Sequence, residues 1–562
     1  MSIKTLFEYK WVVLALCLCF WFGVLVYTGT LNSGFHFTDD HDLVLLKKDL
    51  SDTSFTREVT IFKNELLESK LRFRPFYVLH RRAVGAILGT DFFAWSVYTA
   101  FLAALTSFLL FIFMQKAGFS IFESFSFTGL TLLGPHAAIW WKLGANETLG
   151  MPILALAFWL MAKSAQIGSS NKKKKIIFEL LFILCAILAS WSKESFVLMI
   201  PALILGKIWL TYRFENIKKP DSHLSIWKAA RLNLAAGIFL MLVFTWEVIH
   251  ILKAITMTKV MIGQGMSFQI LSFLKSAWES LLNVSGWILF PLIFIAALHF
   301  YWNRKYHVKD AGKISFFDIA GITLIAGAVL LPQLIMYMRT GLYERYLLPG
   351  VIGIVLLMIV ILRYIRENSA GKKKTSYQFV TWILMILLLL FGLQNQLRIT
   401  RYTAIGFAKE GKQTNTWLNW IKQDTKPEDT ILIITNSSNL METSFSLRTY
   451  LTIEMNRPKI LFSSSKLDTI KNNGRGFWSD LNSSFLPLNG SFALDEKGKN
   501  AISAILILPN LEKKFLENSS NVLDLNRFKR MEFQGGYVSY YQGLVLKNPP
   551  LDPGKTSDKG YN

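Results

Sequence analysis

The chain has 562 residues, of which 52% are hydrophobic, 14% aromatic and 18% charged, and its mean hydropathy is +0.35. That balance is too apolar for a soluble globular protein and fits an integral membrane protein. The net charge of +23 invites a nucleic-acid partner, but the bases sit in short loops between apolar runs, so membrane lipids are the expected partner and nucleic acid is not.

The first apolar run, 11–30, is long enough for a helix to cross roughly 30 Å of hydrocarbon. It lacks a small-residue cleavage site, so it reads as a signal anchor. Further runs follow at 92–114, 121–140, 149–165, 176–191, 196–210, 232–252, 277–302, 316–338, 347–362 and 379–397, about eleven crossings in all. The ten-residue alternations of membrane strands do not occur in this region. Cys17, Cys19 and Cys185 fall inside apolar runs and read as small core residues, with no disulfide frame or zinc spacing.

Alternate loops differ in charge. Lys116, Lys172 to Lys175, Arg213, Lys218, Lys219, Lys228, Arg304, Lys305, Lys309, Arg363, Arg366 and Lys372 to Lys374 share a side with Lys4 and Lys10. The excess of bases marks that side as cytoplasmic. An odd number of crossings then exports the tail. The expected fold is an α-helical polytopic membrane protein of about eleven transmembrane helices, N-terminus in and C-terminus out, over 1–397. Its first outer loop is 31–91, and an extracytoplasmic α/β domain covers 398–562.

The outward loops carry the polar constellations. Just past the first crossing stands Gly34-Phe35-His36-Phe37-Thr38-Asp39-Asp40-His41-Asp42. One acidic residue there is an ordinary solvated loop residue. Adjacent carboxylates at a membrane rim are a functional-site candidate, because mutual repulsion raises one pKa or lets the pair hold a divalent cation such as Mg or Mn. Polar 49–70 follows, with Val59, Phe62, Leu66, Leu67 and Leu71 spaced three or four apart, an amphipathic pattern suited to the interface. In Leu71-Arg72-Phe73-Arg74-Pro75-Phe76-Tyr77, each arginine alone could snorkel to headgroups; as a pair they could present a fork to phosphate.

The run from Gly134-Pro135-His136 to Trp140-Trp141-Lys142 and Asn146-Glu147-Thr148 contains tryptophans that suit an aromatic belt, while His136, Lys142 and Glu147 are site candidates. Ser192-Lys193-Glu194-Ser195 is a loop so tight that its charges are pinned at the membrane surface, either as an internal ion pair or as substrate contacts. Arg339 to Tyr346 ends in Glu344-Arg345-Tyr346 and opens a late crossing, where an arginine suits an anionic headgroup. Mid-span acids are scarce. Glu179 and Glu247 come closest and are expected to pack against neighbouring helices.

In order and sidedness these motifs resemble the GT-C glycosyltransferase superfamily. They are similar to bacterial relatives of the protein O-mannosyltransferases and of polyprenyl-phosphate-sugar-dependent, aminoarabinose-transferase-like enzymes. The resemblance covers most of 11–397 and implies a polyprenyl-phosphate sugar as donor, with a glycan, lipid or protein acceptor on the outer face of a bacterial inner membrane. It implies an acidic pair acting as base or metal ligand, here Asp39 as base with Asp40 orienting it or sharing a cation. Arg345, Arg74, Lys193 and Arg72 are the expected donor-phosphate cations. His41, Asp42, His136, Lys142, Glu147, Glu194, Glu344 and Tyr346 are expected in support. No 34-residue helical repeat follows 397, so repeat-based protein binding does not carry over.

In the tail, 430–435, 459–462 and 501–508 read as buried strands, 417–422 as a helix end and 444–455 as helical. It carries no Gly-rich phosphate loop, zinc spacing or nucleophile elbow, and is expected to cap the membrane site or position the acceptor. The rival classes are a transporter or lipid/glycan flippase, which would show related halves and broken helices, and a structural partner in an envelope complex. No internal repeat is evident in the sequence, and no acidic residues lie mid-span, Glu179 and Glu247 coming closest.

Overall fold

The computed structural model describes residues 3–37, 39–51, 54–67, 73–167, 171–218, 225–258, 271, 274–275, 278–279, 288–305, 316–337, 344–368, 376–435, 441–464, 485–487, 501–508, 511–519, 523–531 and 539–543. The chain divides into two compact units, Met1–Asn32 with Leu50–Ala408 and Ser33–Asp49 with Lys409–Asn562.

Helices dominate the chain up to the tail. They are α1 (Ile3–Thr28), α2 (His41–Ser51), α3 (Phe55–Leu67), α4 (Pro75–Leu88), α5 (Phe92–Lys116), α6 (Ile121–Leu132), α7 (Glu147–Ile167) and α8 (Lys172–Ser190). There follow α9 (Glu194–Val197), α10 (Ile200–Lys218), α11 (Ile226–Leu232), α12 (Leu234–Thr258), α13 (Leu289–Lys305), α14 (Phe316–Tyr337), α15 (Val351–Asn368) and α16 (Ser376–Asp424).

Seven stretches among the described residues are long and apolar enough to cross a membrane: Lys10–Thr28, Phe92–Lys116, Glu147–Ile167, Glu194–Asn216, Leu234–Lys253, Ile319–Met336 and Trp382–Asp424. Each overlaps an expected crossing. The other four expected crossings fall on α6, α8, α13 and α15, which are shorter or more charged. The first turn of α8 is four lysines, and the end of α15 carries Arg363 and Arg366. Helix α6 starts at a capping box, Ser120 Oγ accepting from Glu123 N while Glu123 accepts from Ser120 N. It stops after 12 residues. Gly134 adopts φ 116°, Pro135 has no N–H to continue the ladder, and the chain goes on as a 3-10 turn, Pro135–Trp140.

Lipid tails are as apolar as leucine, so helix association in a bilayer relies on close packing and internal polar contacts. Helix α5 packs against α1 and α7 and buries Ala100, Ala103, Ala104 and Ser107. Trp21 of α1 donates to Ser107 Oγ at 2.7 Å. Elsewhere Arg366 pairs with the buried Glu123 at 3.0 Å. Glu179 meets Lys207 at 3.2 Å, and Lys207 also donates to Ser164. The mid-helix acid Glu179 is thus paired across helices, as expected.

The second unit is built on a six-stranded sheet of order β3-β2-β1-β4-β6-β5. Its strands are β1 (Thr430–Thr435), β2 (Ile460–Ser464), β3 (Phe485–Pro487), β4 (Ile502–Ile507), β5 (Phe528–Met531) and β6 (Ser539–Gly543). Strands β1 to β4 are parallel, with Ile431 opposite Ile460 and Leu432 opposite Ile505. Strand β6 runs antiparallel to both β4 and β5. A central parallel strand is covered on both faces, hence the unbroken Ile431-Leu432-Ile433-Ile434, all four fully buried. Helices α17 (Met441–Thr449) and α18 (Glu512–Ser519) accompany the sheet.

Candidate functional site

In the first unit, segments far apart in sequence meet where helices begin and end: the starts of α4, α7 and α9, the end of α8, and the 3-10 turn Glu344–Leu347 ahead of α15. Arg74 precedes α4, whose first residue is Pro75. Its guanidinium grips Glu194, Nε reaching the two carboxylate oxygens at 3.1 and 3.0 Å and Nη2 one of them at 2.8 Å. Lys193 donates to Glu147, and both are buried. Each member of the Lys193-Glu194 dipeptide thus reaches across to another segment.

Tyrosines and amides complete the lattice. Tyr77 donates to the Gly144 carbonyl at 3.1 Å and accepts from Arg81. The Asn146 amide donates to Tyr77 Oη at 3.0 Å and its oxygen accepts from Arg74. Gln333 of α14 donates to the Ser195 carbonyl at 2.5 Å. The Tyr346 ring takes Lys193 Nζ at 4.7 Å and the Arg345 guanidinium at 5.5 Å from its centroid, both within cation–π range. The turn that carries them packs against Pro135–Trp140, which buries His136 completely.

Burial lowers the Lys193 pKa, Glu147 pulls it back up, and the positive charges of Arg74 and Arg345 push it down again. For Arg74, burial opposes the charge but Glu194 outweighs it, with Glu147 adding to the effect, so its pKa is raised. Three cations that feel one another share a small volume with two carboxylates. An anion placed beside Lys193 and Arg345 relieves their repulsion.

The acidic segment belongs to the second unit, where it lies along the end of α16. Asn415 of α16 donates to the Ser33 carbonyl at 2.9 Å and accepts from Phe35 N at 3.3 Å. Phe35 stacks near Tyr450, with centroids 4.3 Å apart, Phe37 on Trp417 at 5.7 Å, and His41 edge-on to Phe445 at 5.1 Å. A Cβ on Gly411 would run into His36 Nε2, so only glycine lets the segment approach this closely. Lys47 closes the far end on Glu454 at 2.8 Å.

Within this frame the two acids differ. Asp40 is fully buried and accepts from His36 N at 2.9 Å, tying the turn together. Burial raises its pKa, with His36 partly offsetting the rise. Asp39 is half-buried and holds φ 64°, a left-handed conformation unusual for a residue with a Cβ. Such outliers persist where the surroundings over-determine them, and they concentrate at functional sites. Asp42, exposed, lies 3.4 Å from His41 Nε2.

The structure brings together Arg74, Glu147, Lys193, Glu194, Arg345 and Tyr346 in the first unit, and Asp39, Asp40, His41 and Asp42 in the second. Arg72 and the Glu344 side chain lie outside the described residues, and Lys142 is half-buried. Arg74 is held by Glu194 and Lys193 by Glu147, and the Lys193 and Arg345 cations both lie against the Tyr346 ring. Among the described residues no three His, Cys, Asp or Glu side chains are grouped to hold a metal. Asp40 is turned inward onto His36 N. Tyr77, Asn146 and Gln333 were not singled out from sequence. Tyr77 and Asn146 lie inside the quoted motifs, but an uncharged side chain carries no signal of its role there.

No family model matches the sequence, and no curated protein does. Among solved structures the chain is similar to ArnT from Cupriavidus metallidurans. Its apo crystal structure aligns with TM-score 0.46 and 13% identity, over 96% of this chain and 98% of that one. The structure of the same protein bound to undecaprenyl phosphate aligns with TM-score 0.45 and 11% identity, over the same shares of the two chains.

Proposed function

We propose that the protein is a membrane glycosyltransferase that moves a sugar from a polyprenyl-phosphate carrier to an acceptor hydroxyl or amine on the outer face of the membrane. One observation carries this reading: four sequence-distant segments at helix termini bring Lys193 and Arg345 together around the Tyr346 ring, beside the Arg74–Glu194 and Lys193–Glu147 pairs. A fixed, partly desolvated cation pair at the ends of membrane helices suits a lipid phosphate.

In the transfer, the bond between the anomeric carbon and the phosphate oxygen breaks, and the bond to the acceptor atom forms. Negative charge grows on the departing lipid phosphate, where Lys193 and Arg345 stabilise it. Losing one such donor costs about 10²-fold in rate by analogy with oxyanion sites. The acceptor must shed its proton as it attacks. Asp39 is the proposed base, on its partial exposure and constrained backbone, while Asp40 holds the turn that presents it.

Purified full-length protein in nanodiscs, given labelled polyprenyl-phosphate sugar and an envelope extract as acceptor, tests the reading. The enzyme consumes the donor and releases polyprenyl phosphate, and Arg345→Ala slows that release about 10²-fold. Donor that stays intact while crossing the bilayer would instead make the chain a flippase.

A further inference from the structure

One turn of α12 touches both segments that carry the cation lattice, though it contributes no charge to it. Trp246 and His250, one helical turn apart, both pack on Phe73. Phe73 is fully buried, edge-on to Trp246 with centroids 5.4 Å apart and tilted on His250 at 5.9 Å. Phe73 immediately precedes Arg74. The two rings are themselves tilted against each other with centroids 4.5 Å apart, and His250 Nδ1 lies 3.0 Å from the Trp246 carbonyl.

The residue between them, Glu247, is fully buried, its Oε1 lying 2.7 Å from Ser190 Oγ at the end of α8. Ser190 stands three residues before Lys193. The next residue, Trp191, lends its carbonyl to Phe76 N at 3.2 Å and Tyr77 N at 3.4 Å, the first free N–H groups of α4. The end of α8 and the start of α4 are thus bolted to each other, and α12 is bolted to both.

We propose that Glu247 is a positioning residue: the Trp246–Glu247–His250 turn fixes the spacing between Arg74 and Lys193–Glu194, and so the geometry in which Lys193 meets a phosphate. This rests on the anion-binding reading of the lattice given above. The chemistry at Ser190 makes the contact specific. Ser190 has one hydroxyl proton, yet it lies 2.7 Å from the Ile187 carbonyl as well as 2.7 Å from Glu247. Ser190 Oγ donates toward both oxygens, so its one proton is shared between the Ile187 carbonyl and Glu247 Oε1. A glutamine keeps the length and an Oε1 that accepts the same bond. Leucine keeps the volume and removes the contact that ties α12 to the end of α8.

The test measures binding of a short-chain polyprenyl phosphate to the full-length protein in nanodiscs, with thermal stability read in parallel. Arg345→Ala, on the turn ahead of α15, tests the lattice; Glu247→Leu, Glu247→Gln and Ser190→Ala test the positioning. The expected pattern is binding weakened at least tenfold in Arg345→Ala and Glu247→Leu, about fivefold in Ser190→Ala, and restored to within twofold in Glu247→Gln. Loss in Arg345→Ala with wild-type binding in both Glu247→Leu and Ser190→Ala overturns the positioning role and leaves the lattice standing. Wild-type binding in Arg345→Ala overturns both. If Glu247→Leu does not fold, Ser190→Ala decides: wild-type affinity there overturns the proposal. Equal losses in Glu247→Gln and Glu247→Leu would also overturn it, since the positioning acts through the hydrogen bond and not the charge.

Discussion

At the scale of single residues, the adjacent acids Asp39 and Asp40 have opposite fates. Asp39→Asn should abolish sugar transfer while the protein still inserts and folds, because a half-exposed turn residue supports no core; full activity in that variant would remove Asp39 from the mechanism. For Asp40 the informative readout is stability against pH. Its folded pKa is raised by burial, so the native state binds a proton that the unfolded chain gives up. The stability Asp40 contributes is complete below the ordinary aspartate range and is lost as pH rises through the raised value. Asp40→Asn, neutral throughout and still able to accept from His36 N, should be the more stable protein at neutral pH, with the difference vanishing as pH falls. Thermal melts from pH 4 to 8 would reveal it, and parallel curves would mean that Asp40 is not the group responsible. Lys193 and Glu147 make a complementary case. Removing one partner leaves a buried charge and should cost about 3–5 kcal/mol, whereas Lys193→Met with Glu147→Leu should recover stability without recovering phosphate binding. These charged residues were legible in the sequence because charge is rare at a membrane rim. Their partners were not: nothing in Lys193-Glu194 says that each member reaches to a different helix.

Among the elements, α16 does two jobs along its 49 residues: an apolar stretch long enough to span, then a polar end that carries Gly411, Asn415 and Trp417 against the acidic segment. Gly411→Ala should force His36 and the Ser33 carbonyl away from the helix. The cost is of the order of 1–3 kcal/mol, confined to the second unit. Hydrogen exchange should show residues 33–49 opening while the helices of the first unit stay protected; uniform protection across 33–49 would refute the close fit. The strands of the tail and the long spans were readable as apolar runs of the right length. The third expected crossing was read as one run because composition continues across Gly134-Pro135, although φ 116° and the missing N–H end α6 there. Helices α8 and α15 were counted on their apolar cores, and their terminal lysines and arginines are what set them apart from the seven longer apolar stretches.

For the whole molecule, the division into units is what the sequence could least reveal. Ser33–Asp49 follows the first span directly and so read as the first loop of the membrane portion. In the structure it clusters with Lys409–Asn562, through contacts such as that of Asn415 with Phe35, 380 residues apart. Hydrophobic periodicity reports which face of an element is buried, never what buries it. This changes how the roles of the two units should be separated. The expected division of labour puts phosphate binding in the first unit and acceptor use in the second, so deleting 409–562 should spare polyprenyl-phosphate binding to within about threefold, under half a decade in affinity. The same deletion also strips away the surface that holds Asp39 in its left-handed turn, so it cannot by itself tell a lost acceptor site from a lost base. Asn415→Ala can. It releases Ser33 and Phe35 at a cost of about 1–2 kcal/mol and leaves the sheet intact. The expected outcome is a fall in kcat with the acceptor KM unchanged, whereas changes on an acceptor-binding surface would raise KM. Loss of polyprenyl-phosphate binding in the folded truncation would show that the second unit builds the donor site, contrary to the assignment made from Lys193 and Arg345.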